Sequence, residues 1–322
     1  MTSAPRYYRD QPDWRALQAF LPERLRLDAA REPAEEFWEW GAHRIHLDTY
    51  RNPRATAKVI LHHGVGTNGR QMTLILGSRL ARRGFEVIAP DNLGYGMTAV
   101  APGTIPTYDD WVALVVDLVA AERAHDDRPV VLYGLSAGGM LTYHVAAEAP
   151  KGDVSGIAGM TFLDQRIRRV RDETAHDVLT ARVGMPLISA VAGTAAGGLR
   201  VPMRLASKMR TLANDREAMR SVLLKDRTAA ANWVSARFLD SYARYTPAVE
   251  YEDFQACPIL LTQPAADRWT PLHLSEAVLS RITRVPVRTV LLDNAGHLPM
   301  EDPGLRQMED AVVEFVLDHT AA

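Results

Sequence analysis

In the run Gly134-Leu135-Ser136-Ala137-Gly138-Gly139, a serine stands between glycines directly after the apolar stretch "RPVVLY". A hydroxyl is a poor nucleophile at neutral pH and needs a base; histidine serves by taking the serine proton and later returning it to a leaving group. An acidic side chain must then fix the imidazole tautomer and steady the imidazolium. The downstream candidates are Asp267 in "PAADRWTP" and His297 in "NAGHLPMEDP". Asp164, at the end of "TFLD", is the alternative acid, and otherwise a capping residue for the segment that follows. Asp91 in "APDNLGYG" and Asp293, four residues before His297, read as loop braces. His62 and His63 suggest a metal pair, but adjacent side chains in extended chain point opposite ways, and no further carboxylate–histidine cluster accompanies them. Cys257, the only cysteine, excludes an internal disulfide and reads as a core residue before the strand "PILLT". Trp269, two residues after Asp267, is a candidate for the wall of a substrate pocket.

These residues lie on separate loops, so the elements between must bring them together. "AKVILHHGVG", "FEVIAPDNLGYG", "RPVVLYGLSAGG" and the less regular "VSGIAGMTFLD" are apolar runs that end in glycine- or aspartate-containing loops, the pattern of buried parallel strands. Helices alternate with them. Met72–Arg83 has apolar residues at helical spacing, Thr107–Asp110 reads as a capping box opening Trp111–Ala124, and Ala137–Ala149 ends at Pro150. From Gln165 to about Phe254 the strand signal disappears, and "CPILLTQPAAD" and "VRTVLLDNAGH" then restore it. Upstream, "AHRIHLDTY" reads as an edge strand, preceded by a helix around Pro12–Phe20. The expectation is an α/β fold with a mostly parallel sheet flanked by helices. Residues 1–164 form the first part of its core, with an amino-terminal extension over 1–42. A helical cap over 165–254 is inserted before the last two strands, and 255–322 complete the core. Loops at the carboxyl ends of parallel strands converge on one side, where Ser136, Asp267 and His297 would meet.

In its motifs and their order the chain resembles the α/β-hydrolase superfamily over about Lys58–Leu317. "GLSAGG" looks like the nucleophile elbow, with Gly134 and Gly138 where side chains would collide with strand and helix. "HHGVG" resembles the loop supplying half of an oxyanion hole, "PDNLGYG" the D-x-x-G-x-G turn, "PAADRWTP" the acid loop and "NAGHLPMEDP" the histidine loop. The resemblance implies Ser136 as nucleophile, His297 as base and Asp267 as acid, although some members draw the acid from the position of Asp164. It further implies oxyanion donors at the Val65 and Ala137 N–H groups, with His63 and Gly64 supporting that loop. Members similar to haloalkane dehalogenases and epoxide hydrolases carry aspartate at the elbow. Serine here points to acyl transfer from an ester, lactone, thioester or amide. The position of the cap is similar to that in the lysophospholipase and monoglyceride-lipase-like branch, which implies an ester with a medium-to-long acyl chain. An acyltransferase or lactonase would use the same three residues, and a non-catalytic ligand-binding protein could share the fold.

Composition narrows the classes further. A net charge of −2 gives no reason to expect nucleic acid as a partner. The expectation is a small ester or lipid-like substrate with no cofactor and no metal. Met1–Trp14 is polar and lacks an apolar signal-peptide core, so a cytoplasmic location is expected. Val183–Leu199 is the longest weakly polar stretch, but Pro186 and four glycines interrupt it and it falls short of a membrane span. Between Gln165 and Gln255 there are 15 Lys/Arg against 10 Asp/Glu. This excess reads either as solvated helix faces or as an attraction for an anionic substrate or lipid surface. The apolar faces of "MPLISAVAG" and "MRLASKM" are suited to an acyl pocket and equally to docking the cap.

Overall fold

The computed structural model describes residues 6–177 and 180–320, so the first five residues of the polar amino-terminal stretch lie outside it. Ten strands follow in chain order: β1 (Ala34–Trp40), β2 (His43–Tyr50), β3 (Lys58–His62), β4 (Glu86–Pro90), β5 (Val130–Gly134), β6 (Gly156–Gly159), β7 (Arg200–Pro202), β8 (Trp233–Ser235), β9 (Ile259–Pro264) and β10 (Val287–Leu292). Eight form one sheet in the order β1-β2-β4-β3-β5-β6-β9-β10. All its pairings are parallel from β4 to β10, whereas β1–β2 and β2–β4 are antiparallel. β3, β4, β5, β6 and β9 are buried along their whole length, as sheets covered by helices on both faces require.

The helices fall close to the expected positions. Thr107 and Asp110 form a reciprocal capping box, but the helix begins earlier than expected and spans Tyr108–His125. The helix after Ser136 spans Ala137–Glu148. The segment read as one helix over Met72–Arg83 begins at Gly69 and carries a π-turn at Thr73–Gly77.

Two expectations need correction. "AHRIHLDTY" is not the sheet edge, because β1 lies outside β2, joined by a tight turn at Gly41 (φ +57°). β1 is built from "AEEFWEW", whose acidic residues hide the strand pattern. Glu35 and Glu36 are matched by partners distant in the chain: Glu35 by His46 at 2.9 Å and the Tyr8 and Arg9 N–H groups, Glu36 by Arg51 at 3.1 Å and the Thr49 hydroxyl. The Gln165–Phe254 segment also contains strands: β7 and β8 pair as a two-stranded antiparallel sheet. At three residues each, they are too short to show alternation.

The amino-terminal residues pack on the core around a buried ionic network. The Tyr8 hydroxyl donates to Asp91 (3.0 Å), and the Trp14 indole donates to the Tyr8 carbonyl (2.6 Å). The Arg70 guanidinium lies over the Trp14 ring and binds Asp48 through two hydrogen bonds of 2.5 and 2.8 Å. His46 sits between Glu35 (2.9 Å) and Asp91 (3.1 Å). Burial alone would depress the His46 pKa, but hydrogen bonds to Asp91 and Glu35 and the nearby charges of Asp91 and Asp48 raise it to about 10. Glu35, His46 and Asp48 lie close enough to hold a metal ion. Their ion pairs with one another, Arg70 and Asp91 give them a structural role.

The His46 imidazolium makes stability pH-dependent. Its folded pKa lies above the ordinary 6.5, so its contribution is complete below about pH 6.5 and is lost as pH rises through about 10. At neutral pH, His46→Gln is expected to cost about 3–5 kcal/mol, because it leaves buried carboxylates short of a partner. Urea unfolding at both ends of that pH range checks this. The gap between variant and wild type should narrow with rising pH, and a constant gap would contradict the assignment.

Candidate active site

Ser136 lies in the turn between β5 and the helix Ala137–Glu148, with φ +56° and ψ −123°. A side chain rarely adopts this backbone, and holding one there costs about 1–3 kcal/mol. The turn is held by Gly138 N–H to the Leu135 carbonyl and Gly139 N–H to the Ser136 carbonyl, both 2.8 Å, and by Leu135 N–H to the His62 carbonyl at 3.0 Å. The Thr161 hydroxyl also donates to the Ser136 carbonyl (3.3 Å). Strand and helix meet so closely that a Cβ on Gly134 would lie 1.9 Å from the Gly138 carbonyl oxygen, and one on Gly138 2.6 Å from that of His62. Those collisions explain the glycines flanking the serine.

Asp267 and His297 come together on the loops after β9 and β10. His297 Nδ1 lies 2.8 Å from Asp267 Oδ2, with both side chains buried. Asp267 Oδ1 accepts the Trp269 and Thr270 N–H groups (2.7 and 2.9 Å), and Oδ2 accepts the Thr270 hydroxyl (2.6 Å). Burial raises the Asp267 pKa, but electrostatic attraction to His297 and the His297 and Thr270 hydrogen bonds outweigh it and hold the carboxyl below its ordinary range. An ionised acceptor there assigns the proton to Nδ1 and leaves the Nε2 lone pair free. His297 Nε2 is buried without a hydrogen-bond partner among the described residues, so it is not bonded to Ser136.

The loop after β3 approaches Ser136 from the other side. A Cβ on Gly64 would lie 2.9 Å from the Ser136 Cβ and 3.0 Å from the Ala137 nitrogen. His63 fastens this loop: Nδ1 donates to the Gly64 carbonyl (2.8 Å) and Nε2 accepts the Asn92 N–H (2.9 Å). That pattern fixes a neutral tautomer, and burial lowers the His63 pKa. His62 lies wholly buried, pushed down to about 3 by burial and by His63. The Val65 and Ala137 N–H groups donate to no acceptor among the described residues. Val65 and Ser136 line one cleft.

That cleft opens to solvent at its mouth. Its walls are mostly apolar, with Leu163, Met185, Met203, Leu239 and Trp269 among them. The Trp269 ring packs 4.7 Å from the His297 ring, and its indole donates to the Thr174 carbonyl (2.9 Å). Residues between Gln165 and Phe254 contact the loops on this side. Leu298 N–H donates to the Leu212 carbonyl (2.6 Å), and the Asn214 amide donates to the Ala266 carbonyl (3.1 Å). On the opposite flank, Gly96 N–H donates to the Thr228 carbonyl and the Asn232 amide to the Gly94 carbonyl.

The other acidic candidates are engaged elsewhere. Asp164 accepts the Arg166 N–H (2.7 Å) and the Tyr251 hydroxyl (2.7 Å). Asp91 accepts Gly69 and Met97 N–H groups, and Asp293 pairs with Gln307. Cys257 is buried, its thiol pushed up to about 12 by that burial. Thr270, which touches both Asp267 and His297 (3.0 Å to Nδ1), has no signature in the sequence beyond its place three residues after the acid.

No helix among the described residues is long and apolar enough to cross a membrane. Comparison with known proteins places this geometry in context. The monoglyceride lipase of Saccharomyces cerevisiae superposes with a TM-score of 0.76 at 14% identity, covering 94% of this chain and 99% of that one. The monoacylglycerol lipase of Paleococcus ferrophilus gives 0.65 at 18% identity, over 88% and 99% of the two chains. In sequence, the chain is 33% identical over 138 residues to lipase LipV of Mycobacterium tuberculosis, a match spanning 40% of this chain and 47% of that lipase. The family model of the alpha/beta hydrolases matches residues 59–313, and the chain belongs to that family.

Proposed function

We propose that the protein is a serine hydrolase that cleaves a carboxylic ester with an apolar, medium-to-long acyl group. The observation that supports this reading is the Asp267–His297 pair, whose Nε2 is free and whose neighbours Trp269 and Thr270 line the same cleft as Ser136, a serine held at positive φ. Ser136 Oγ attacks the ester carbonyl carbon while His297 Nε2 takes the hydroxyl proton. The Ser136–His297 hydrogen bond forms in the substrate complex, as such contacts often tighten only there. The carbonyl oxygen becomes an oxyanion, accepted by the Val65 and Ala137 N–H groups at the positive end of the helix Ala137–Glu148. Collapse of the tetrahedral species breaks the bond to the alcohol, which leaves with the proton from His297. Water then gives a proton to His297 and attacks the acyl carbon; the bond to Ser136 Oγ breaks, Oγ takes that proton back from His297, and the carboxylic acid leaves. Asp267 keeps the imidazole in its Nδ1–H tautomer and stabilises the imidazolium. Residues 165–254 act as a cap, and the apolar walls of the cleft receive the acyl chain. That the relatives are lipases and monoglyceride lipases supports an ester substrate.

Two experiments test this mechanism. A fluorophosphonate probe should label the wild type at Ser136, and Ser136→Ala should abolish labelling and lower kcat on p-nitrophenyl esters by at least about 10⁴-fold. Labelling of a different residue would overturn the assignment. Thr270→Val removes one donor from Asp267, so the carboxyl should rise toward its ordinary range. The expected loss is about two- to tenfold in kcat, largest at acidic pH and with KM little changed. An effect confined to KM would assign Thr270 to substrate binding.

A further inference from the structure

The opening helix of the cap region, Arg168–Thr174, lies in a segment dense with arginine. Most of these side chains have acidic partners. Arg166 binds Asp164 and Glu250 (3.0 and 2.7 Å), Arg168 approaches Asp172 (3.8 Å), Arg169 binds Glu173 (2.7 Å) and Arg182 binds Asp172 (2.9 Å). Two of these are i,i+4 pairs along the helix. Four residues beyond Arg171 comes Ala175, so the same spacing offers Arg171 no acid. Among the described residues it has no ion-pair partner within 4.0 Å, and it is the one charged side chain lining the cleft that holds Ser136.

Its contacts leave donors to spare. Arg171 Nη1 donates to the Gln165 and Arg166 carbonyls (3.0 and 3.3 Å), which fixes the plane of the guanidinium. Nε and Nη2 make no hydrogen bond to described residues. A guanidinium stays charged at any physiological pH, and its fork of N–H groups matches the oxygens of carboxylate or phosphate. Half-buried beside apolar walls, the charge interacts more strongly with a ligand than it would in open water. Bracing two carbonyls accounts for Nη1 and leaves Nε and Nη2 free for a ligand.

We propose that Arg171 binds an oxyanionic group, carboxylate or phosphate, carried by the substrate away from the scissile carbonyl. This rests on the serine-hydrolase reading for the identity of the substrate as an ester. The substrate class becomes amphiphilic esters with a fixed negative charge, with the apolar walls receiving the chain between ester and anion.

The test uses p-nitrophenyl half-esters of straight-chain dicarboxylic acids in a series of lengths, the corresponding ω-phosphonate esters, and methyl-terminated esters of equal length. Binding of each to the Ser136→Ala protein is measured by calorimetry, and turnover by the protein with Ser136 intact. At the best length the anionic ester should bind about ten- to a hundredfold more tightly than its methyl-terminated counterpart. Arg171→Met should bring that ratio close to one, and Arg171→Lys should keep part of it, with thermal melts reporting the fold of each variant. Whether carboxylate or phosphonate is preferred names the source of the anion. A ratio near one in the protein with Arg171, or an equal loss for charged and neutral esters in Arg171→Met, would overturn the proposal and leave Arg171 as a brace for the Gln165 and Arg166 carbonyls. Because binding is read without Ser136, a wild type that turned over no ester would count against the serine-hydrolase reading alone.

Discussion

The site depends on one backbone constraint: Ser136 at φ +56°, ψ −123°, held between a buried strand and a helix that begins at the next residue. Left to itself the chain would relax out of this conformation. It is kept there by β5, which is buried along its whole length, and by hydrogen bonds that close the turn over no more than three residues. The same closeness that forces glycine at positions 134 and 138 leaves Ser136 lining a cleft and the Ala137 N–H without an acceptor among the described residues. The other components are brought to this fixed point. The loop after β3 is pinned by His63, and the loops after β9 and β10 are joined through Asp267, Thr270 and His297.

Asp91 links the amino-terminal residues to this arrangement. Wholly buried, it accepts Gly69 N–H, Met97 N–H and the Tyr8 hydroxyl, and the His46 imidazolium lies 3.1 Å away. Three donors and a neighbouring positive charge can hold a buried carboxylate charged where burial alone would favour the neutral acid. The residues before β1 and the loop after β4 are thereby tied to one another. Asn92, next along, supplies the N–H that fixes His63 and, through it, the Val65 loop. A charge network remote from the cleft is thus two residues removed from a proposed oxyanion donor.

Much of this was legible in the sequence because the chemistry demands particular residue types at strand ends. Ser136, Asp267 and His297 each follow an apolar run, and a run of that kind ending in a loop is a local signal. Asp267 over Asp164 was readable only in part. What separates them is that Tyr251 occupies Asp164 while His297 faces Asp267, and each of these partners lies far from its acid in the chain. β1 escaped because its glutamates are satisfied across the sheet rather than along the strand. The pair β7–β8 escaped because three residues carry no period. Arg171 could not be singled out from "RIRRVRDET", since what distinguishes it is the acid it lacks and the cleft it faces.

The central claim is that Ser136 forms the covalent bond while the Val65 and Ala137 N–H groups receive the oxyanion. A crystal structure of the protein inactivated by an alkyl phosphonate tests it most directly. The account predicts phosphorus bonded to Ser136 Oγ, with the phosphonyl oxygen about 2.7–3.1 Å from both nitrogens and the alkyl chain along the Met185 and Met203 walls. An adduct on another side chain, or an oxygen turned away from Val65 and Ala137, would contradict it.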